Sequence, residues 1–315
     1  MFSITGQTMG TSYSVVAVDH AHELNEPQIA AAIDAALQEV NQQMSNWDPM
    51  SEISRFNARN STEPVAISEP LAHVIAAAEE VNRASEGRFD TTMGPLIELW
   101  GFGASGAPTM PQPADIARAL ERSGHSRSLA LADGTLRKQL PEANVYLAAI
   151  GKGFGADHVG RALASLGIRD FMVEIGGDLY ATGRNADGLP WQIGIETPSA
   201  RQIGVHEVIG LTGMGLASSG DYRNFFERDG ARYSHVIDPT TGRPITHQTG
   251  SATVIANNAM LADAWATAML TLGRERGLEI AEAEGLAVMF IDRNGSGTDI
   301  PFSTVTSSHY DQLTA

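Results

Sequence analysis

Six short apolar runs, at 145–150, 171–175, 191–196, 232–237, 251–256 and 286–291, alternate with turn-forming residues through the second half of this 315-residue chain. Apolar runs of this length bounded by turn residues read as strands. Helical patterns interrupt them at about 153–166, 258–272 and 274–284, without the regular strand–helix alternation that builds a parallel sheet. Hairpin strands mixed with packed helices predict an α+β fold with largely antiparallel sheets. The N-terminal half adds a strand over 10–18 and two amphipathic helices. One opens at Asn25-Glu26-Pro27, with Ile29, Ile33, Leu37, Val40 and Met44 at helical spacing. The other follows Ser68, with Pro70 in its first turn and Leu71, Val74, Ile75, Ala78 and Val81 on one face. A polar turn region at 45–57 separates them and carries one large aromatic, Trp47. The Gly/Pro-rich stretch 101–113 is the best internal break, followed by a short helix at about 114–123. No fixed-period repeat occurs. The expectation is a single domain over 1–315, with room for two intimate subdomains.

Composition narrows the function. The net charge is −16, from 21 basic and 37 acidic residues, and no basic run occurs. Such a field repels a nucleic-acid backbone, so DNA and RNA are not expected as partners. The same field means that an anionic ligand needs a cation, a lysine or backbone N–H groups around it. With no cysteine, disulfides, zinc–thiolate sites and Cys nucleophiles are excluded, while either compartment remains open. No segment approaches the ~18 apolar residues that span a bilayer. Met1-Phe2-Ser3-Ile4-Thr5 shows no basic region leading into an apolar stretch, so no signal peptide is expected in this sequence. Glycine, with 32 copies, clusters at Gly151/Gly153/Gly155, Gly176/Gly177 and Gly213/Gly215, which means tight turns or close backbone approach.

Three segments could carry chemistry. In the helix that follows Asn258, Asp263 and Thr267 lie four residues apart on one face, among small and apolar neighbours. A carboxylate and a hydroxyl there suit Mg²⁺, which takes one or two protein carboxylates and completes its shell with phosphate and water. On spacing alone, an Asp263 that accepts hydrogen bonds from a loop and a Thr267 that fills space account for the pattern better. The second segment, Ile150-Gly151-Lys152-Gly153-Phe154-Gly155, runs from an apolar run through glycines into a helix. Glycine N–H groups, a helix start and a lysine can hold a diphosphate. It is neither a P-loop nor a dinucleotide fingerprint, and a tight strand–helix turn explains its glycines about as well. In the third, Ser234-His235-Val236-Ile237-Asp238-Pro239, His235 could be a general base oriented by Asp238. The alternative is an Asx-turn at Asp238 and a backbone hydrogen bond at His235. Phe89-Asp90-Thr91-Thr92, Gly176-Gly177-Asp178 and Ser218-Ser219-Gly220-Asp221 are more often turn or capping chemistry. Trp47 could stack on a flat ligand.

Taken in chain order, seven segments resemble the FAD:protein FMN transferase family, the ApbE-like flavin transferases. They are Met9-Gly10-Thr11-Ser12-Tyr13, Met44-Ser45-Asn46-Trp47 with Ser51 to Asn57, Phe89 to Pro95, Ala149-Ile150-Gly151-Lys152-Gly153, Glu174-Ile175-Gly176-Gly177, His235 to Gly242, and Asp263-Ala264-Trp265-Ala266-Thr267. The resemblance covers residues 8 to 291 and implies a T-fold-type α+β domain. It implies that Mg²⁺ is held by Asp263, Thr267 and the carbonyl of Ala149, and that FAD touches Met9, Trp47, Asp90, Thr91, Thr92, Lys152 and Ile237. It makes His235 the group that activates an acceptor hydroxyl, with Lys152 and Asp263 completing the catalytic set.

The implied reaction moves FMN from FAD to a threonine or serine of an acceptor protein and releases AMP. Family acceptors are membrane redox subunits on the exported side of the bacterial envelope, which implies a periplasmic setting. Some relatives hydrolyse FAD to FMN and AMP instead, and a flavin-binding protein without turnover is the alternative of another class. Two departures bear on the metal shell: Tyr146 and Ala266 stand where other members carry acids.

Overall fold

The structure is a computed structural model that describes residues 1–21, 23–103, 106–199, 204–295 and 301–315. Strand β1 (Phe2–Thr8) turns back through Met9 and Gly10 into β2 (Thr11–Val18). Both turn residues have positive φ, 50° and 74°, as a two-residue hairpin demands if its turn is to follow the strands' twist. In β2 every second residue, Tyr13, Val15 and Ala17, is buried, the period of a strand covered on one face. Six more strands follow: β3 (Asp170–Ile175), β4 (Asp178–Thr182), β5 (Met214–Gly220), β6 (Thr249–Ala256), β7 (Ala287–Arg293) and β8 (Phe302–Thr306). The eight lie side by side in chain order and every neighbouring pair is antiparallel. The α+β reading with antiparallel sheets therefore holds.

Long helices cover one face of this sheet. Helices α1 (Glu26–Met44) and α3 (Gly151–Ser165) pack on Val15, Ala17, Phe171, Val173 and Ile175. Helix α4 (Ala259–Glu284) packs on Ala217, Ala252, Val254, Val288 and Phe290, and α2 (Glu69–Ala84) packs against α4 in the same apolar cluster. On the other face, Leu216, Ile255, Met289 and Ile291 meet the hairpin Trp191–Glu196/Val205–Leu211 and Tyr310 of the C-terminal helix. Each such large apolar side chain contributes about 1.5–3 kcal/mol on full burial.

Local chemistry sets the helix ends where the sequence places them. Asn25 and Gln28 form a reciprocal capping box for α1, and the Ser68 hydroxyl caps α2. The two helical stretches expected at 258–272 and 274–284 are one element broken at Gly273, whose φ of 73° is non-helical. A Cβ there would lie 2.8 Å from the His247 ring. Strand β1 was not expected.

The run 145–150 is not a strand, contrary to the sequence reading. Its residues Val145, Leu147 and Ile150 are buried, but among the described residues they pair with no strand. Asn57 exchanges two 2.8 Å hydrogen bonds with the Val145 N–H and carbonyl. Asn46 donates to the Val145 carbonyl at 2.7 Å and accepts from the Leu147 N–H at 3.0 Å. The Tyr146 N–H donates to the Thr91 carbonyl at 2.7 Å. Side-chain amides thus satisfy the backbone that a ladder would otherwise satisfy. The run 232–237 is also shorter than expected: its strand, Ala231–Ser234, stops before His235. Residues 104 and 105 of the 101–113 break lie outside the described residues.

Candidate active site

The starts of α3 and α4 are locked together. A Cβ on Gly153 would lie 2.2 Å from the Ala259 carbonyl oxygen, so only glycine permits this approach. From the next turn of α3, the Asp157 carboxylate accepts from the N–H groups of Ala259 and Met260 at 2.8 and 2.9 Å, capping α4 from outside. Burial pushes that carboxyl up to about 6, against the pull of its two N–H donors. The contact brings Lys152 and Asp263 into one corner. Asp263 Oδ2 accepts from the Gly153 N–H at 3.2 Å and stands 3.5 Å from Lys152 Nζ.

A third charge enters from the sheet. Between β3 and β4, Gly176 and Gly177 both take positive φ, 58° and 99°, and Ile175 pairs with Asp178 across them. This tight hairpin buries Asp178, whose Oδ2 lies 2.7 Å from Lys152 Nζ. Burial, then the charge of Asp263, pushes the Asp178 carboxyl above its ordinary value, although Lys152 acts in the opposite sense. Burial works against the Lys152 ammonium too, but the charges of Asp263 and Asp178 outweigh it and its pKa rises above the ordinary value. One ammonium for two buried carboxylates leaves the corner short of positive charge, and a divalent cation would relieve that.

The donor set fits a hard, lightly ligated ion. Thr267 is half-buried one turn beyond Asp263, and its Oγ1 lies 3.2 Å from Ser219 Oγ. Ala149 is half-buried in the turn just before α3. Among the described residues no group of three or more His, Cys, Asp or Glu side chains gathers around a common point. One or two carboxylates with hydroxyl and carbonyl oxygens is a set that magnesium uses when phosphate fills its remaining positions. Asp263 also accepts a structural hydrogen bond, as its alternative reading expects, but from the Gly153 N–H in the first turn of α3 and not from a loop.

The other residues singled out in the sequence have their own local settings. Met9 is half-buried and its methyl sits where a Cβ on Gly155 of α3 would come within 2.8 Å. Trp47 is 71% exposed, although its loop is pinned: Ser51 and Ser54 donate to the Ser45 carbonyl at 2.6 and 2.9 Å. An indole held out in solvent by a fixed loop is available for stacking. Asp90 binds the Thr92 N–H and hydroxyl, both at 2.6 Å, and accepts from the His125 N–H. Thr91 and Thr92 are buried, Thr91 against His125 Nδ1 at 2.7 Å. Ile237 is buried with Met93, Leu96 and Trp100. Tyr146 packs on Gly94, and Ala266 is buried in the core.

His235 shares no direct contact with Lys152, Asp263 or Thr267. Its Nδ1 lies 2.9 Å from the Asn224 carbonyl, which can only accept, so Nδ1 carries the proton and Nε2 keeps its lone pair. Burial holds the imidazole below its ordinary pKa, against the Asn224 carbonyl and the charge of Asp221. The orienting group is thus Asn224, not Asp238. Asp238 instead forms the Asx-turn, accepting from the Thr240 N–H at 2.8 Å, and pairs with Arg88 at 2.9 Å. In the sequence Asp178 and Ser219 read as turn or capping chemistry, and Asn224 gave no signal. Gly-Gly-Asp after an apolar run was a visible signal for Asp178, but whether the Asp faced inward was not.

Comparison with known proteins completes the picture. The family model described as the ApbE family matches residues 9–290. A Vibrio cholerae protein named FAD:protein FMN transferase is 42% identical over 294 residues, covering 93% of this chain and 88% of its own length. One of the same name from Haemophilus influenzae is 41% identical and covers 100% of this chain and 92% of its own. The solved flavin transferase ApbE of Vibrio cholerae superposes with a TM-score of 0.90 at 39% identity, over 99% of this chain and 98% of that one. The apo flavinyl transferase ApbE of Pseudomonas stutzeri gives 0.90 at 36% identity, over 99% and 96%. With the family model and both named relatives matching over nearly the whole chain, this chain belongs to the ApbE family.

Proposed function

We propose that this protein is a magnesium-dependent FAD:protein FMN transferase, which moves the FMN half of FAD onto a threonine or serine hydroxyl of an acceptor protein and releases AMP. The names of its relatives support flavin transfer. The observation that carries the reading is the gathering of Lys152, Asp178 and Asp263 within 3.5 Å, where the start of α3 meets α4. In a chain of net charge −16, a corner that sets one ammonium against two carboxylates needs a cation before it can take a diphosphate.

Asp263, Thr267 and the Ala149 carbonyl would hold magnesium, which when bound supplies charge neutralisation for the breaking anhydride. Lys152 pairs with the diphosphate beside it, while the exposed indole of Trp47 stacks on a flat ring of FAD. His235 Nε2 takes the proton of the acceptor hydroxyl. The hydroxyl oxygen forms its bond to the FMN-side phosphorus, the bond from that phosphorus to the bridging oxygen breaks, and AMP leaves with that oxygen. The acceptor class, a membrane redox subunit met in the periplasm, rests on the family resemblance. Among the described residues no helix is long and apolar enough to cross a membrane.

The test is incubation of the purified protein with FAD, magnesium and an acceptor peptide, read by mass spectrometry. A covalent gain of FMN on the peptide is expected. Free FMN and AMP with an unmodified peptide would make it a hydrolase, and tight FAD binding without AMP release would make it a carrier.

A further inference from the structure

Asp178 is a costly residue where it stands. It occupies the first position of β4, is 4% exposed, and is followed by the buried Leu179. A buried ion pair is a poor source of stability compared with an apolar residue of similar size, so the carboxylate has little structural reason to be there. Its setting is nonetheless built around one partner. The Gly176-Gly177 hairpin turns Asp178 inward, and the Lys152 stem runs over Gly176, with Cδ 3.3 Å from where a Cβ would sit. Three oxygens surround Lys152 Nζ: Asp178 Oδ2 pairs with it as an ion at 2.7 Å, and the Ala148 carbonyl and Asp263 Oδ2 accept hydrogen bonds at 3.3 and 3.5 Å.

We propose that Asp178 is a positioning residue for flavin transfer, fixing the Lys152 ammonium so that its remaining N–H bonds face the FAD diphosphate. The inference rests on the reading of the site given above. A free lysine on its flexible stem would have to be ordered by the ligand at each binding event; the short contact to Asp178 orders it beforehand. The two longer contacts are those that a phosphate oxygen displaces, and the short one persists in the complex. Asp178 thus acts on the phosphate only through Lys152.

A double-mutant cycle separates this role from a merely structural one. FAD affinity is read from flavin fluorescence at saturating magnesium for wild type, Asp178→Asn, Lys152→Met and the double variant. Each single change weakens binding about tenfold, the loss of one charge-assisted hydrogen bond, and the double variant binds no worse than Lys152→Met. Asp178→Glu, which keeps the charge but displaces it, gives a smaller loss with the same non-additivity, and it replaces Asp178→Asn if that variant does not fold. Losses that add in the double variant, or wild-type affinity in both Asp178 variants, would overturn the role of Asp178. Wild-type affinity in Lys152→Met would instead refute the diphosphate site itself.

Discussion

Three glycines in the first turn and a half of α3 offer the same substitution in three surroundings. At Gly153 a methyl group would lie 2.2 Å from the Ala259 oxygen, 2.6 Å from its carbonyl carbon and 2.8 Å from the Met260 nitrogen. All three atoms are backbone and none can rotate away, so α3 and α4 must part by about 1 Å to restore ordinary contact. Overpacking of this kind costs about 1–3 kcal/mol, and here belongs at the upper end. The better helix propensity of alanine returns about 1 kcal/mol, so Gly153→Ala is destabilised by about 2 kcal/mol. The parting also pulls Lys152 from Asp263, and a displacement of about 1 Å can reduce a catalysed rate about 100-fold. At Gly151 the nearest atom to an added methyl is Leu147 Cβ at 3.8 Å, so Gly151→Ala gains about 0.5–1 kcal/mol. Gly155 is intermediate, since its obstacle is the flexible end of Met9 at 2.8 Å. Urea unfolding and the rate of AMP release from FAD, measured on all three variants, give the order directly. A Gly153→Ala protein as stable and as active as Gly151→Ala would refute the argument that this helix contact builds the site.

Asp263→Ala abolishes magnesium-dependent AMP release, by more than the roughly 10–100-fold that loss of an outer-shell partner costs, with urea unfolding close to wild type; undiminished release would defeat the metal assignment. His235→Ala slows transfer far more than it weakens FAD binding, and equal losses of both would return His235 to a structural role. Because burial lowers the pKa of His235, its basic form persists below the ordinary histidine value of about 6.5. The transfer rate therefore holds at that pH and falls only as the pH drops further; a half-loss at or above it would contradict His235 as the base. Asn57→Ala leaves the Val145 N–H and carbonyl without that partner and destabilises the protein by about 2–3 kcal/mol, with FAD contacts unchanged; a neutral effect on urea unfolding would show that the 145–147 segment does not depend on this clamp.

What could be read in the sequence was what depends on neighbours along the chain. The helices after Asn25, Ser68 and Asn258 begin at their caps, because a cap is a local hydrogen bond. The break at Gly273 falls between the two helical patterns. The failures involve partners far away in sequence. Val145 and Leu147 resemble a strand in composition, but their hydrogen bonds end on Asn46 and Asn57, about 90–100 residues earlier, where no periodicity records them. Asp178 looked like turn chemistry because Gly-Gly-Asp is a turn. Its second task appears only when α3 lays Lys152 against it. His235 was given the wrong orienting partner, because Asp238 is close in sequence while Asn224 is close in space.

A structure of the protein with FAD and magnesium bound would test the central claim most directly. Both phosphates are expected within hydrogen-bonding reach of Lys152 Nζ, and the ion on oxygens of Asp263, Thr267 and Ala149. Phosphates seated away from the junction of α3 and α4, or an ion held by other residues, would contradict it.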